Sequence, residues 1–458
     1  MGEEARHQDT DAGLAGPAPG AKPRRGAAVG GRVADLVVRN IGQLVTLAGS
    51  DGPRRGAEMR ELALVECGAV ASEGGRVLAA GREADVLAAV GAGPDTVFVD
   101  ADGGVVTPGL VDPHTHAVFA ATREDEFAMR VEGRSYEEIA EAGGGIRSSV
   151  RTLRATDPDS LRENGRGTLD RMLQFGTTMA EVKSGYGLSL ESELKMLRVI
   201  SELEDTHAVD VVPTFLGAHE FPDEWRDDRD GYVDHLIDVM IPAVAAEKLA
   251  RFCDVFCEEG VFTVEQSRRV LTAARAHGME PKLHADELHA FGAAELAAEL
   301  GAASADHLVC ASDDGIAALA AAGVVAVLLP GTTLSLGSRA FAPARKMIDA
   351  GVPVALATDC NPGSSMTESM QIILALASMM LRMTPAEALV AATVNAAAAL
   401  RAGRVAGSLT PGRQCDLVIW EVDDYRAIPY HYGVNLVASV VKRGSVVVSR
   451  GASGAGAR

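Results

Sequence analysis

Val106-Thr107-Pro108-Gly109-Leu110-Val111-Asp112-Pro113-His114-Thr115-His116 is the stretch on which the reading of this chain turns. An apolar run leads into two histidines one residue apart. Read as a strand, its alternation puts both imidazoles on one face, within reach of a single metal ion. Histidine is the commonest metal ligand, and a His-x-His pair at the C-terminal end of a buried strand suits a catalytic site with an open coordination position. The spacing is common by chance, so its meaning depends on what surrounds it.

Upstream, from Val33 to Val106, short β-like runs are broken by Gly and Asp: Ala34–Arg39, Leu62–Val65, Arg76–Gly81 and Val97–Asp100. The same pattern returns at Asp416–Glu421 and Val434–Val448. Downstream of Pro108 it changes. Strand candidates Thr177–Val182, Val209–Leu216, Asp254–Cys257, Lys282–His284, Ser304–Leu308, Val324–Leu329 and Val354–Ala357 alternate with helix candidates Ser160–Gln174, Leu190–Thr206, Val264–His277, Phe291–Leu300 and Pro385–Leu400. Alternating β and α predicts an α/β fold, a (β/α)₈ TIM-like barrel over residues 108–400. Residues 33–107 and 401–450 are expected to pair as the two parts of a small β-sandwich domain built from both chain ends. Residues 1–32, rich in Gly, Ala, Pro and Arg, read as a disordered tail, and 451–458 as a flexible one.

The chain of 458 residues suits a barrel of about 250 residues plus an accessory domain. A net charge of −20 argues against nucleic acid or an anionic membrane surface as partner, since both need basic patches. No uncharged stretch of about 18 apolar residues predicts a membrane helix, and the N-terminus lacks an apolar core of signal-peptide type, so a cytoplasmic location is expected. The six cysteines form no CxxC pair and read as reduced, mostly buried thiols.

The strand ends carry the chemistry. They supply His114 and His116, then Glu181–Gly187, Gly217–Glu220, His284–Glu287, Asp306-His307, and Ala357–Ser364. A barrel brings these ends to one mouth. One divalent ion needs three or four N/O ligands and room for water. His114 and His116 supply two, His284 a third, and Asp359 an oxygen that also accepts a proton from water. Zinc and iron both accept such a set. Arg123 lies on the loop above the first strand, and a guanidinium is the natural bidentate partner of a carboxylate. Tyr186, between Gly185 and Gly187, suits a phenol on a tight turn.

The chain resembles the metal-dependent amidohydrolase superfamily and, within it, the imidazolonepropionase family of histidine degradation. The segments that carry the resemblance are DPHTH (112–116), TREDEF (122–127), AGGGI (142–146), EVKSGYGL (181–188), FLGAHEFP (215–222), DVFCEEGVF (254–262), KLHADE (282–287), ADHL (305–308), LLPGTTLSL (328–336) and TDCNPGSS (358–365). The resemblance implies hydrolysis of the small molecule 4-imidazolone-5-propanoate to N-formimidoyl-L-glutamate, with one Zn²⁺ or Fe²⁺/Fe³⁺ ion and a homodimer. It implies His114, His116, His284 and Asp359 as metal ligands. Arg123, Tyr186, His219, Glu287, Asn361, Gly363 and Ser364 match substrate-binding positions, and His307 matches a histidine beside the metal.

In the expected mechanism Asp359 takes a proton from the attacking water, His219, His307 or the metal stabilises the oxyanion, and Glu287 carries the proton to the leaving ring nitrogen. Alternatively Glu287 only orients His284. Lys183 lies near the position where other amidohydrolases bridge two metals, but reads here as an ordinary lysine at a polar strand end. The rival functions are another ring hydrolase or deaminase of the same superfamily, or a noncatalytic assembly protein of the same fold.

Overall fold

The structure, a computed structural model, describes residues 32–49, 51–134, 138 and 144–450. The tails expected at 1–32 and 451–458 lie outside the described residues except for Arg32, as do Ala142 and Gly143 of the AGGGI segment.

The first five strands are β1 (Val33–Val45), β2 (Leu64–Glu73), β3 (Arg76–Arg82), β4 (Gly91–Asp100) and β5 (Val105–Pro108). The barrel strands are β6 (Leu110–Asp112), β7 (Thr177–Lys183), β8 (Asp210–Ala218), β9 (Phe252–Cys257), β10 (Glu280–Ala285), β11 (Ser304–His307), β12 (Val325–Leu328) and β13 (Val354–Leu356). Three more follow, β14 (Leu417–Trp420), β15 (Val437–Lys442) and β16 (Ser445–Ser449). The strands of the two chain ends join in one branched sheet, ordered β16-β15-β14-β5-β1-β2-β3, with β4 added on β1. β1 is long enough to serve three partners, β2 over Leu36–Val45, β4 over Val33–Arg39 and β5 over Gln43–Leu44, and its register against β2 shifts between Val38 and Ile41. Asn40, a residue type that tolerates the left-handed region, takes φ 54° at that shift.

β6 to β13 pair in chain order, each parallel to the next. Parallel neighbours need crossovers, and the intervening amphipathic helices supply them, as the alternating pattern predicts. The helix Pro158–Gln174 starts where Asp157 accepts the Ser160 N–H at 2.9 Å and Pro158 occupies its first turn. The segment read as one helix over Pro385–Leu400 is two, Pro385–Ala391 and Val394–Ala399. They break at Thr393, whose non-helical backbone (φ −135°, ψ −88°) is held by its hydroxyl bonding back to Leu389 O.

The opening run is not one strand either. β5 belongs to the chain-end sheet and β6 to the barrel, with Gly109 between them. A Cβ there would lie 2.1 Å from Thr178 Oγ1, and the Gly109 N–H donates to Asp416 O at 2.9 Å. Glycine thus lets the chain pass from one sheet to the other against a neighbouring strand. The two histidines follow β6, and there the barrel closes. Thr115 bridges Cys360, the Asp359 N–H donates to His114 O at 3.1 Å, and the His116 N–H donates to Cys360 O at 3.0 Å. Closure therefore sets the His-x-His and Asp359 segments side by side. Apolar side chains pack between the strands and the helices. Among the described residues, no helix is long and apolar enough to cross a membrane.

Candidate active site

At the C-terminal mouth of the barrel His114 Nε2 and His116 Nε2 each lie 3.5 Å from Asp359 Oδ1. The ring centroid of His284 is 4.5 Å from that of His114 and 5.6 Å from that of His116. Ligand atoms of His114, His116 and Asp359 all fall within 4.8 Å of one another, and so do those of His114, His284 and His307 and of His116, His219 and His284. His114, His116, His284, His307 and Asp359 are buried.

The protonation pattern favours a cation. His114 Nδ1 sits 2.6 Å from Asp306 Oδ2, which makes Nδ1 the donor and leaves Nε2 as a lone pair. That Nε2 is buried without a hydrogen-bond partner. Burial holds His114, His116 and His307 well below the usual histidine range, so they are neutral, the form that ligates metal. Burial alone would lower His284 too, but the facing Asp254 carboxylate outweighs it and raises the ring. Burial pushes Asp359 up to about 6, against a hydrogen bond from Thr332 Oγ1 to its Oδ2. The buried, unpartnered Nε2 of His114, beside neutral His116 and the Asp359 carboxylate, suits a divalent ion.

The remaining expected site residues surround this cluster. Tyr186 is buried, its ring 5.8 Å from His116 and 5.6 Å from His219. Burial pushes its phenol upward, so it remains a donor. The turn that carries it is clamped: the buried Glu193 carboxylate accepts the N–H groups of Gly185, Gly187 and Leu188. His219 Nδ1 lies 3.0 Å from Gly185 O. A carbonyl only accepts, so Nδ1 carries the proton and Nε2 faces the cluster as an acceptor, not as a donor to an oxyanion. Burial, with His284 adding to it, lowers His219 to about 3.

Glu287 Oε1 lies 3.6 Å from His307 Nδ1. Burial, then the charge of Asp359, pushes its carboxyl up to about 8. Its turn is held from behind, where the buried Glu258 accepts the Leu288 N–H at 2.9 Å and Asp286 accepts those of Phe291, Gly292, Ala293 and Ala294. Arg123 Nε donates to Glu126 Oε1 at 2.9 Å, and Nη2 to Oε2. A Cβ on Gly363 would come within 2.5 Å of Arg123 Nη1. The Asn361 amide serves its own turn, accepting the N–H groups of Gly363 and Ser364 at 2.8 Å and donating to Asp359 O at 2.7 Å.

Sequence reasoning missed the layer beneath. Asp254 Oδ2 is 3.0 Å from His284 Nδ1, and Asp306 holds His114. Lys183 is no ordinary strand-end lysine but wholly buried, 2.7 Å from Asp254. The alternation of Glu181 with Lys183 and of Lys282 with His284 along inward-facing positions was the available signal.

An eight-stranded barrel with His-x-His after its first strand, a fifth-strand histidine and an aspartate after its last defines a metal-dependent hydrolase of the amidohydrolase class. The Amidohydrolase family model matches residues 105–447. Solved structures with the same fold include a zinc-bound adenosine deaminase from Xanthomonas campestris, with TM-score 0.67 at 20% identity over 92% of this chain and 94% of that one. Guanine deaminase of E. coli gives TM-score 0.67 at 17% identity, over 90% and 99%. Imidazolonepropionase of Geobacillus thermodenitrificans is 52% identical over 422 residues, 91% of this chain and 98% of its own length. That of Symbiobacterium thermophilum is 52% identical over 421 residues, 92% and 99%. The chain belongs to the imidazolonepropionase family of amidohydrolases.

Proposed function

We propose that this chain hydrolyses a ring C–N bond of 4-imidazolone-5-propanoate, giving N-formimidoyl-L-glutamate in L-histidine catabolism. The observation that carries this reading is its 52% identity with imidazolonepropionases over nearly their whole length, joined to a mouth where ligand atoms of His114, His116 and Asp359 lie within 4.8 Å of one another. His114, His116, His284 and Asp359 are the residues to hold one divalent ion, zinc or iron. When bound, such an ion acidifies water towards a pKa of about 7 and polarises a carbonyl.

The protein's own groups do the rest. Arg123, aligned by Glu126, offers its outer Nη1 edge to the propanoate. Tyr186 donates to a polar atom of the bound ring, and the Asn361–Ser364 turn lines its edge. Asp359, its Oδ2 tied by Thr332, accepts the proton of the attacking water at Oδ1. Glu287, which holds a proton at neutral pH, delivers one to the leaving ring nitrogen. His219 is an acceptor through Nε2 and orients substrate N–H or water. A cytoplasmic homodimer is the state in which we expect the enzyme to act.

The test is loss of imidazolone absorbance, with the substrate made in situ from urocanate, for the wild type beside Asp359→Asn. Ring opening by the wild type and a loss of at least about a thousandfold in the variant, with metal retained, is the expected result. A fully metallated wild type that leaves the imidazolone intact but deaminates a purine refutes the reading.

A further inference from the structure

Barrel interiors are ordinarily filled with branched apolar side chains. Here the layer under the histidines is ionic. Lys183 Nζ lies 2.7 Å from Asp254 Oδ2, 2.9 Å from Glu181 Oε2 and 3.7 Å from Asp306 Oδ2, and all four side chains are inaccessible to solvent. The two aspartates face upward as well. Asp254 Oδ2 is 3.0 Å from His284 Nδ1 while its Oδ1 accepts the His284 backbone N–H at 3.1 Å. Asp306 Oδ2 is 2.6 Å from His114 Nδ1. One ammonium group therefore stands between the two carboxylates that lie against two of the mouth's histidines.

A buried ion pair is a poor way to gain stability, because desolvation offsets its attraction. Three carboxylates from different strands would repel one another without a cation among them. Lys282, the second lysine of this layer, donates to Pro113 O at 2.9 Å and pairs with Glu181 at 2.9 Å, but stands 3.9 Å from Asp306. Of the two, Lys183 bonds Asp254, the carboxylate against His284, and also lies 3.7 Å from Asp306. Resting on the metal-centre reading above, we propose that Lys183 is a positioning residue of that centre. It keeps Asp254 and Asp306 against Nδ1 of His284 and His114, so that both rings turn their remaining nitrogen to the ion.

The experiment compares full-length wild type, Lys183→Met, the charge-balanced Lys183→Met/Glu181→Gln and, as a control on the centre itself, His116→Ala. Glu181 touches no histidine; it bonds Thr214 and the two lysines. Zn²⁺ affinity is read by competition with a chromophoric chelator, ligand geometry by the visible spectrum of the Co²⁺-loaded protein, and folding by melting of the metal-free chain. We expect the balanced double variant to melt like the metal-free wild type. It should bind Zn²⁺ about 10- to 100-fold more weakly, with a shifted Co²⁺ band. A double variant with wild-type Zn²⁺ affinity and Co²⁺ spectrum overturns the proposal. So does one that fails to fold, since Lys183 is then a framework residue. If His116→Ala binds Zn²⁺ as the wild type does, the metal-centre reading itself falls.

Discussion

Arg123 reaches the mouth of the barrel already paired, two of its guanidinium nitrogens taken by Glu126 and its third packed where Gly363 has no side chain. The three acidic residues after it look in sequence like a solvated face, yet Glu126 is what aims it. Arg123→Met is expected to raise KM about 10- to 100-fold, the worth of a charge-assisted hydrogen bond of about 1.5–3 kcal/mol, with a smaller change in kcat. Arg123→Lys should not restore KM, because a point charge cannot bridge Glu126 and a carboxylate as a planar fork does. Steady-state kinetics checks both, and an unchanged KM removes Arg123 from the substrate's carboxylate. At this scale the clustering of His114, His116, His284 and Asp359 was legible because histidines are rare in this chain and these residues sit at strand ends. Their partners Asp254, Asp306 and Thr332 were not, since each is ordinary in sequence and acquires its role from a neighbouring strand.

At the scale of elements, buried carboxylates hold the loops and helix starts that the site depends on. Glu387 caps the helix Pro385–Ala391 by accepting the Thr384 N–H at 2.8 Å, and it also takes Arg60 and Arg345. Burial raises its carboxyl, but that hydrogen bond and the two guanidinium groups more than reverse this and leave it below the usual range. A carboxyl depressed in the folded state contributes stability that is complete above its unfolded pKa and is lost as pH falls through the folded one. Glu387→Gln should therefore lower stability by about 1–3 kcal/mol at neutral pH. The gap in Tm to the wild type should narrow as pH falls from about 6 to about 4, the range in which glutamate titrates. Melting curves across that range check it, and a gap that widens in acid contradicts the assignment. Most helices and strands could be read from periodicity. The break at Thr393 and the passage at Gly109 could not, because the one rests on a hydroxyl bond back to Leu389 O that a threonine within an unbroken helix also makes, and the other on the approach of Thr178.

Across the whole molecule, the chain-end sheet and the barrel share a backbone at β5–β6 and are tied at a second place by charge. Lys442 Nζ, nearly buried, lies 2.7 Å from Asp210 on β8 and 2.6 Å from Asp416 beside β14, while Trp420 Nε1 donates to Thr107 Oγ1 at 2.9 Å. Removing the ammonium leaves the buried Asp416 without its cation, while Asp210 keeps Arg443, so Lys442→Met is expected to cost about 3 kcal/mol. It should do so in one cooperative transition, because neither sheet can separate from the other without exposing β5 and β14. Calorimetry that resolves two transitions in the variant counts against this coupling. The alternation of strand and helix, and the chemistry of the residues at the strand ends, follow from the sequence alone, since both are set by period and residue type within short windows. That β1 gathers β2, β4 and β5, that closure of β6 on β13 lays the His-x-His and Asp359 segments together, and that lysines and carboxylates fill the barrel beneath them, are decided only by the tertiary structure. Those pairings join residues far apart along the chain, and a buried charge reveals its purpose only once its partner is beside it.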